Sequence, residues 1–315
     1  MVPTHNRSLA LKRALDSIWQ QTLESYEVIV VDDGSKTDVF SQNEAIVNQF
    51  DERFSIVNRS IWEPKHGPSY SRNTGFSYAN GQYIGFLDDD DFWCDNQHLE
   101  IAQKAILETG CDFYLCDQIA KRNDEVVVRE WLPHLNNVSK SREKLNNSEC
   151  YRVNVTDVLK PEGIGFPHVN TVFMNRKRFE QIKGFWDGSP YEEDLDFFLR
   201  LLDVSDGIVY RPVVVAITSL REKKSEDGAS SIDDELKMLY RILVCNHARL
   251  SVSGEVQKYA KLLQAGVFKT IAKNRYKTTD YKTAADYAFQ AAALELSIKW
   301  VVISIYLKVR NVFLQ

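Results

Sequence analysis

The sequence predicts an α/β protein, a mostly parallel sheet flanked by helices, followed by a C-terminal helical extension. Three observations predict it. Stretches with helical spacing alternate with short β-branched runs through the first third of the chain, the pattern of βαβ units. Two of those runs end in acidic clusters, Asp32-Asp33 and Asp88–Asp91, and open α/β sheets bind ligands beyond the carboxyl ends of their strands. From Ile232 onward the pattern reads as three or four amphipathic helices.

Each element has its own signal. Residues 8–22 place Leu11, Leu15, Ile18 and Trp19 at helical intervals, with Ser8 or Asn6 available as N-cap. Glu27–Val31 is a buried strand that closes in the turn Asp-Asp-Gly-Ser. A helix over 38–50, a strand over 54–58, a helix over 69–80 ended by Gly81, and a strand over 82–87 follow. After a helix at 95–109 come strands at 111–116 and 125–130, and then a polar, loop-like stretch at 136–147. The pattern next predicts a strand at 169–174, a short helix at 175–182, a strong helix at 193–203 and an apolar strand at 207–218. The charged, Ser-rich stretch 221–231 separates this body from the tail and sets a domain boundary there. Residues 281–294 have the Tyr/Ala spacing of a helical-hairpin repeat, but a single copy argues against a solenoid.

Composition narrows the class. At 315 residues, 44% hydrophobic and 26% charged, the chain is an ordinary globular one, and its formal charge of -5 predicts no nucleic-acid partner. The charge is uneven: residues 255–315 hold ten Lys/Arg against four acids. Five cysteines, an odd count without CxxC spacing, predict buried reduced thiols rather than zinc or disulfides. Residues 1–13 lack the apolar run of a signal peptide, so the Asn-x-Ser/Thr triplets at Asn6, Asn58, Asn137 and Asn154 are chance matches. Residues 294–314 come nearest to a membrane span but are broken by Lys299, Lys308 and Arg310. The expected location is cytoplasmic.

The run Asp88-Asp89-Asp90-Asp91 carries the chemistry. Adjacent carboxylates repel, and clustering them is costly unless a cation compensates. They follow an apolar strand and precede Phe92 and Trp93, so they are held in a partly dry place. Hard oxygen ligands of this kind suit Mn2+ or Mg2+ bridging to substrate phosphates. Asp32-Asp33-Gly34-Ser35 alone is a common turn. Paired with a second acidic strand end in one sheet, it suggests carboxylates that accept hydrogen bonds from a base or ribose. Tyr191-Glu192-Glu193-Asp194-Leu195-Asp196 reads as a helix with acids in its first turn, and Asp196 and Arg200 as an i, i+4 pair.

Four motifs, Pro3-Thr4-His5-Asn6-Arg7, Val31-Asp-Asp-Gly-Ser35, Gly67-x4-Arg72-Asn73-x-Gly75 and Phe86-Leu-Asp-Asp-Asp-Asp91, stand in the order and spacing that resemble glycosyltransferase family 2. The resemblance covers about residues 1–231. It implies the Rossmann-like GT-A fold, with a nucleotide-binding half at 1–118, an acceptor half at 119–231 and a helical tail at 232–315. It implies an inverting transfer of sugar from a nucleotide-sugar donor, UDP-linked, to an acceptor hydroxyl on a glycan or lipid-linked glycan of a cell-surface polymer. The same resemblance puts Thr4, Asn6 and Arg7 in the nucleotide pocket, Asp33 at the base, Arg72 near the base or phosphates and Asp89 at the ribose. Asp90, the last acid of the DxD motif, would ligate the metal with Asp88 in support. Asp194 would be the general base, with Glu193 beside it. His5 reads as a spacer and His168 as a loop histidine. Arg221 or Lys223 would belong either to a lid or to an ordinary charged linker. Only Met1 and Val2 precede Pro3, where the family has a full strand, so the first strand is expected to be nearly absent.

Other readings fare worse. No GxGxxG follows a strand, which disfavours NAD chemistry, and PTHNR is not the Gly-rich opening of a nucleotidyltransferase. A non-enzymatic glycan- or nucleotide-binding module is opposed by intact Asp33, Asp88–Asp90 and Asp194. For the basic tail two readings stand. Packing on the catalytic domain or a partner is favoured over peripheral contact with the inner membrane face, which would suit lipid-linked acceptors.

Overall fold

The computed structural model describes residues 1–60, 62–63, 65–146, 149–159, 166–220 and 232–313. The Arg221–Ser231 stretch, with the Arg221 and Lys223 lid reading, lies outside the described residues. The chain forms two compact units, Met1–Pro190 with Val204–Ser225 and Tyr191–Asp203 with Glu226–Gln315.

The first unit opens with β1 (Val2–Thr4), α1 (Ser8–Trp19), β2 (Val28–Asp33), α2 (Thr37–Val47) and β3 (Phe54–Arg59). It continues with α3 (Pro68–Tyr78), β4 (Tyr83–Gly85), β5 (Phe92–Trp93), α4 (His98–Thr109), β6 (Phe113–Arg122) and β7 (Glu125–Val128). Next come α5 (Pro133–Ser139), β8 (Tyr151–Val153), α6 (Val155–Val158), β9 (Val172–Asn175) and α7 (Arg176–Gln181). After α8 (Glu193–Val204), which opens in the second unit, β10 (Ile208–Ser219) returns to the first.

Strands β1, β2 and β3 form a parallel sheet in that order, with Thr4 opposite Asp32 and Asp33 opposite Arg59. The second sheet runs β4-β9-β6-β10-β5, with β7 on β6 and β8 on β10. Its β6–β10 pair is parallel and its other pairs are antiparallel. β1 has only three residues, yet it is tied on both sides. The Met1 amino group donates to Gly85 O (2.9 Å), and Leu87 N–H donates to Met1 O (3.1 Å), the slanted pattern of parallel strands. The chain after β4 therefore runs alongside β1, and Thr4, Asp33 and Asp88 all follow the carboxyl ends of neighbouring parallel segments.

All six residues of β2 are buried, as expected of a parallel strand covered on both faces. Its Val28 and Val30 share a core with Leu11, Leu15 and Ile18 of α1, Ala102 and Ala105 of α4, and Tyr114 of β6. Trp19, on the same predicted stripe, is 44% exposed. Two local expectations need correction. Residues 136–147 are not all loop, because α5 reaches Ser139: Pro133 sits at its first turn, Leu135 is fully buried, and Asn136 donates to Asp117 Oδ2 (2.9 Å). Residues 169–171 form a single 3-10 turn before β9 begins. Four of the five free thiols are buried, whereas Cys94 is exposed.

The second unit adds α9 (Asp234–Ser251), α10 (Gly254–Lys277), α11 (Tyr281–Glu295) and α12 (Ile298–Phe313). Successive helices pack on one another around Ala272, Ala284, Ala285, Ala288 and Leu307. The alanines allow close approach, and Ser304 Oγ fills the gap by donating to Ala285 O (2.8 Å). The opposite face of α12 is apolar and exposed along Ile298, Val302, Ile305, Val309 and Val312. No helix among the described residues is long and apolar enough to cross a membrane.

Candidate active site

The site is built from the loops that follow three strands of the first unit. After β1 the chain turns sharply. Asn6 has φ 55°, a left-handed conformation that asparagine tolerates better than most residues. Its N–H donates to Ser35 Oγ (2.8 Å), and its Oδ1 accepts from Lys36 N–H (2.9 Å), so it stitches the loop after β1 to the loop after β2. His5 faces Asp33 O across 3.0 Å, as a spacer in that seam.

The two acids ending β2 do different work. Asp32 is fully buried and structural: Oδ1 accepts from Ser35 N–H (2.8 Å) and Oδ2 from Asn43 (2.7 Å). Asp33 accepts from Arg59 (2.6 Å) on one oxygen and from Gly67 N–H (2.6 Å) on the other, with His66 Nδ1 at 3.1 Å. Gly67 has φ 116°, a conformation costly for any side-chain-bearing residue, and it brings that N–H to the carboxylate just as α3 begins. Arg59 was not singled out from the sequence. The signal was there, because parallel register sets the last residue of β3 directly beside the last residue of β2.

The acidic run lies opposite. Thr4 Oγ1 donates to Asp89 Oδ2 (2.7 Å), and Arg7 reaches both Asp89 Oδ1 (2.9 Å) and Asp90 Oδ2 (3.2 Å). Arg72, almost fully buried, donates to Asp88 Oδ1 (2.7 Å) while its guanidinium lies over the Phe185 ring. Arg13, also unremarked in the sequence, donates to the Asp90 carbonyl and to Ser219 Oγ. Asp91 is the anchor: it accepts from Asn170 Nδ2 (2.6 Å), Thr218 Oγ1 (3.2 Å) and Ser219 N–H (2.8 Å). Asn170 Oδ1 in turn accepts from Asp88 N–H (2.9 Å).

Electrostatics separates the four acids. Burial acts most strongly on Asp88 and would raise its pKa, but Arg72, His168 and Arg7 together hold it below the usual carboxylate value. Burial lifts Asp89 to about 6, against the pull of Arg7 and with a push from Asp90. Burial and then the charges of Asp88 and Asp90 lift Asp91 to about 8. Below those values Asp89 and Asp91 hold their protons, and a bound cation would favour their ionised forms.

Ligand atoms of Asp88, Asp91 and His168 lie within 4.8 Å of one another. The two carboxylates supply hard oxygen donors that suit Mn2+ or Mg2+, and the imidazole nitrogen favours Mn2+ of the two. His168, read from the sequence as a loop histidine, is thus a candidate ligand, and the loop before β9 carries it there. Of the residues expected from the sequence, Thr4, Arg7, Asp89 and Asp90 form one hydrogen-bonded cluster, and Arg72 with Asp88 a second. Asn6 ties the loop after β1 to the loop after β2, and Asp33 ties the end of β2 to the start of α3. Glu193 and Asp194 belong to the second unit, where they open α8.

Solved structures share this architecture. S. aureus TarS in complex with UDP-GlcNAc superposes with a TM-score of 0.63 at 18% identity, over 93% of this chain and 82% of that one. Mannosyltransferase PcManGT from Pyrobaculum calidifontis, solved with GDP-Man and Mn2+, gives 0.53 at 17% identity over 99% and 84%. The fold is GT-A.

Among curated proteins, the chain is 34% identical over 105 residues to the GalNAc(5)-diNAcBac-PP-undecaprenol beta-1,3-glucosyltransferase of Campylobacter jejuni, a match covering 33% of each chain. It is 27% identical over 127 residues, 40% of this chain and 47% of the other, to the UDP-Glc:alpha-D-GlcNAc-diphosphoundecaprenol beta-1,3-glucosyltransferase WfgD of Escherichia coli. These matches span a third to a half of the relatives' lengths. The family model described as Glycosyl transferase family 2 matches residues 1–176, more than half of the chain and every acid of the first unit's site, so the protein belongs to glycosyl transferase family 2.

Proposed function

We propose that this protein transfers a sugar from a UDP-linked donor to a hydroxyl of a lipid-linked glycan, with inversion and with the help of Mn2+ or Mg2+. The observation that carries the reading is the geometry of the acidic run: ligand atoms of Asp88, Asp91 and His168 lie within 4.8 Å of one another, and Thr4 and Arg7 tie Asp89 and Asp90 to the first loop of a family 2 domain. The named substrates of the C. jejuni and E. coli relatives support the donor and the lipid-linked acceptor.

In this reading Asp33 receives the base, Asn6 and Arg7 shape the pocket, Asp89 meets the ribose, and Arg72 braces Asp88 near the diphosphate. Asp88 and Asp90, with Asp91 and His168 at hand, would hold the divalent ion. When bound, that ion offsets negative charge growing on the leaving diphosphate. Asp194 takes the proton of the attacking hydroxyl, and Glu193 adds local negative charge that keeps the proton acceptor basic.

General-base assistance is typically worth ~10²–10⁴-fold in rate. Asp194→Asn should therefore lose most UDP release from UDP-glucose or UDP-GlcNAc in Mn2+ while keeping donor affinity by calorimetry. Unchanged turnover in that variant would remove the base assignment.

The tail fits the acceptor. The exposed stripe on α12 is spaced three and four residues apart, and the helix carries Lys299, Lys308 and Arg310 with no acid. Its chemistry matches an anionic bilayer surface. The protein should sediment with vesicles containing phosphatidylglycerol and not with phosphatidylcholine alone, and Val302→Glu/Ile305→Glu should stay in the supernatant. Concentration-dependent association in solution, abolished by the same pair without any vesicle binding, would assign the stripe to a second copy instead.

A further inference from the structure

The second unit gathers a set of charges that the transfer reaction does not by itself require. Glu192 and Asp196 stand two residues before and two residues after Asp194. Each is held by a residue of α9. Arg241 grips the Glu192 carboxylate with both Nε (2.6 Å) and Nη2, a fork-on-carboxylate contact. His247 Nδ1 meets Asp196 Oδ1 at 2.6 Å. The other oxygen of Asp196 takes Nε (2.7 Å) and Nη2 (2.6 Å) of Arg200, one helical turn on.

Three features show that this is a built arrangement. Asp196 is fully buried, and a charge is rarely kept in such a place unless paired on all sides. Glu192 has φ 57°, a left-handed backbone that a non-glycine residue holds only when its surroundings over-determine it. On α9 the stretch between Arg241 and His247 carries Val244 and Cys245, both fully buried, so the helix that presents the two grips is itself anchored.

We infer that Arg241 and His247 are positioning residues for Asp194: the tail helix α9 clamps the acids on either side of it and so sets the direction of its carboxylate. The clamp rests on the proposed role of Asp194 as base. It gives the tail a part in the chemistry: Asp194 Oδ1 accepts from Leu195 N–H (2.8 Å), and the grips on Glu192 and Asp196 hold the backbone from which that carboxylate projects. Glu192 lies outside the helix with a turn-forming backbone, and its side-chain grip ties that turn to α9. A misdirected base is costly, since displacement of about 1 Å can lower a rate on the order of a hundredfold.

A double-mutant cycle tests the inference. Arg241→Gln and His247→Asn are each compared with the parent, and again in an Asp194→Asn background, using UDP release from a UDP-sugar with Mn2+. Each single change should lower kcat on the order of tenfold to a hundredfold, with donor KM and donor affinity kept. In the Asp194→Asn background the same changes should cost nothing further. Arg241→Lys, which keeps the charge but not the fork, should restore only part of the loss. Should Arg241→Gln fail to fold, Glu192→Gln probes the same contact from the other side in the same cycle.

Equal losses with and without Asp194 would show a structural role and overturn the clamp alone. Full activity in the clamp variants would do the same. If Asp194→Asn itself is fully active, the base assignment falls first and takes the clamp with it.

Discussion

Two strand ends of the first unit carry adjacent acids, and they are compensated very differently. At the end of β2 the acids have dedicated partners: Asn43 and Ser35 N–H for Asp32, Arg59 and Gly67 N–H for Asp33. After β4, Arg7 serves both Asp89 and Asp90, Arg72 serves Asp88, and Asp91 has only the neutral donors Asn170, Thr218 and Ser219 N–H; burial lifts Asp89 to about 6 and Asp91 to about 8. The contrast teaches how each end can serve in the proposed reaction. A paired carboxylate with a fixed direction suits a neutral hydrogen-bonding ligand. A cluster whose carboxyls are held protonated by burial and mutual repulsion would gain from a divalent cation.

The largest effect should come from breaking the compensated end. Asp33→Ala leaves Arg59, itself 5% exposed, without its strongest partner, and removing one member of a buried pair costs ~3–5 kcal/mol. Urea unfolding of the variant should read that loss, and a change below about 1 kcal/mol would show that Glu63 and the Lys65 carbonyl suffice to hold Arg59.

The acidic run should respond through the metal instead. Asp90→Ala should lower donor affinity in Mn2+ by at least about 10–100-fold, the loss seen even for outer-shell partners of metal ligands, and leave affinity in chelator nearly unchanged. Unaltered metal dependence by calorimetry would move the ion to Asp88, Asp91 and His168.

The third test is a pH slope. Asp91 has a folded pKa of about 8 and an ordinary unfolded one near 3.8, so the folded state binds the extra proton. Its contribution to stability is complete below pH 3.8 and fades as pH rises through 8; that of Asp89 fades through about 6. In chelator, Tm should therefore fall between pH 5 and 8.5, and Asp91→Asn should flatten the upper part of that fall. A Tm that climbs with pH in chelator would contradict protonated Asp89 and Asp91 in the folded state.

Much of this was legible in the sequence. β-branched runs ending in acids located the strand ends, and motif order located Thr4, Arg7, Arg72 and Asp89. What stayed hidden depends on who stands opposite whom. Arg59 is far from Asp33 in sequence and becomes its partner only through parallel register. His168 joins Asp88 and Asp91 because the 3-10 turn after it places Asn170 against both the Asp88 backbone and the Asp91 side chain. Helical periodicity placed an apolar stripe on α12 but could not say which side of the helix would be covered. Ser304 and Leu307 face inward while Val302 and Ile305 do not.

The seam made by Asn6 bears on attempts to re-engineer these loops. Because one side chain holds the turn at Lys36 while its own backbone is held by Ser35, the stretches 4–7 and 33–36 form a single cassette. Grafting a different loop onto either stretch alone would cut the stitch and let both ends drift. Library designs should exchange the two together, or leave Asn6, Ser35 and the Lys36 amide as fixed points and vary only what lies between.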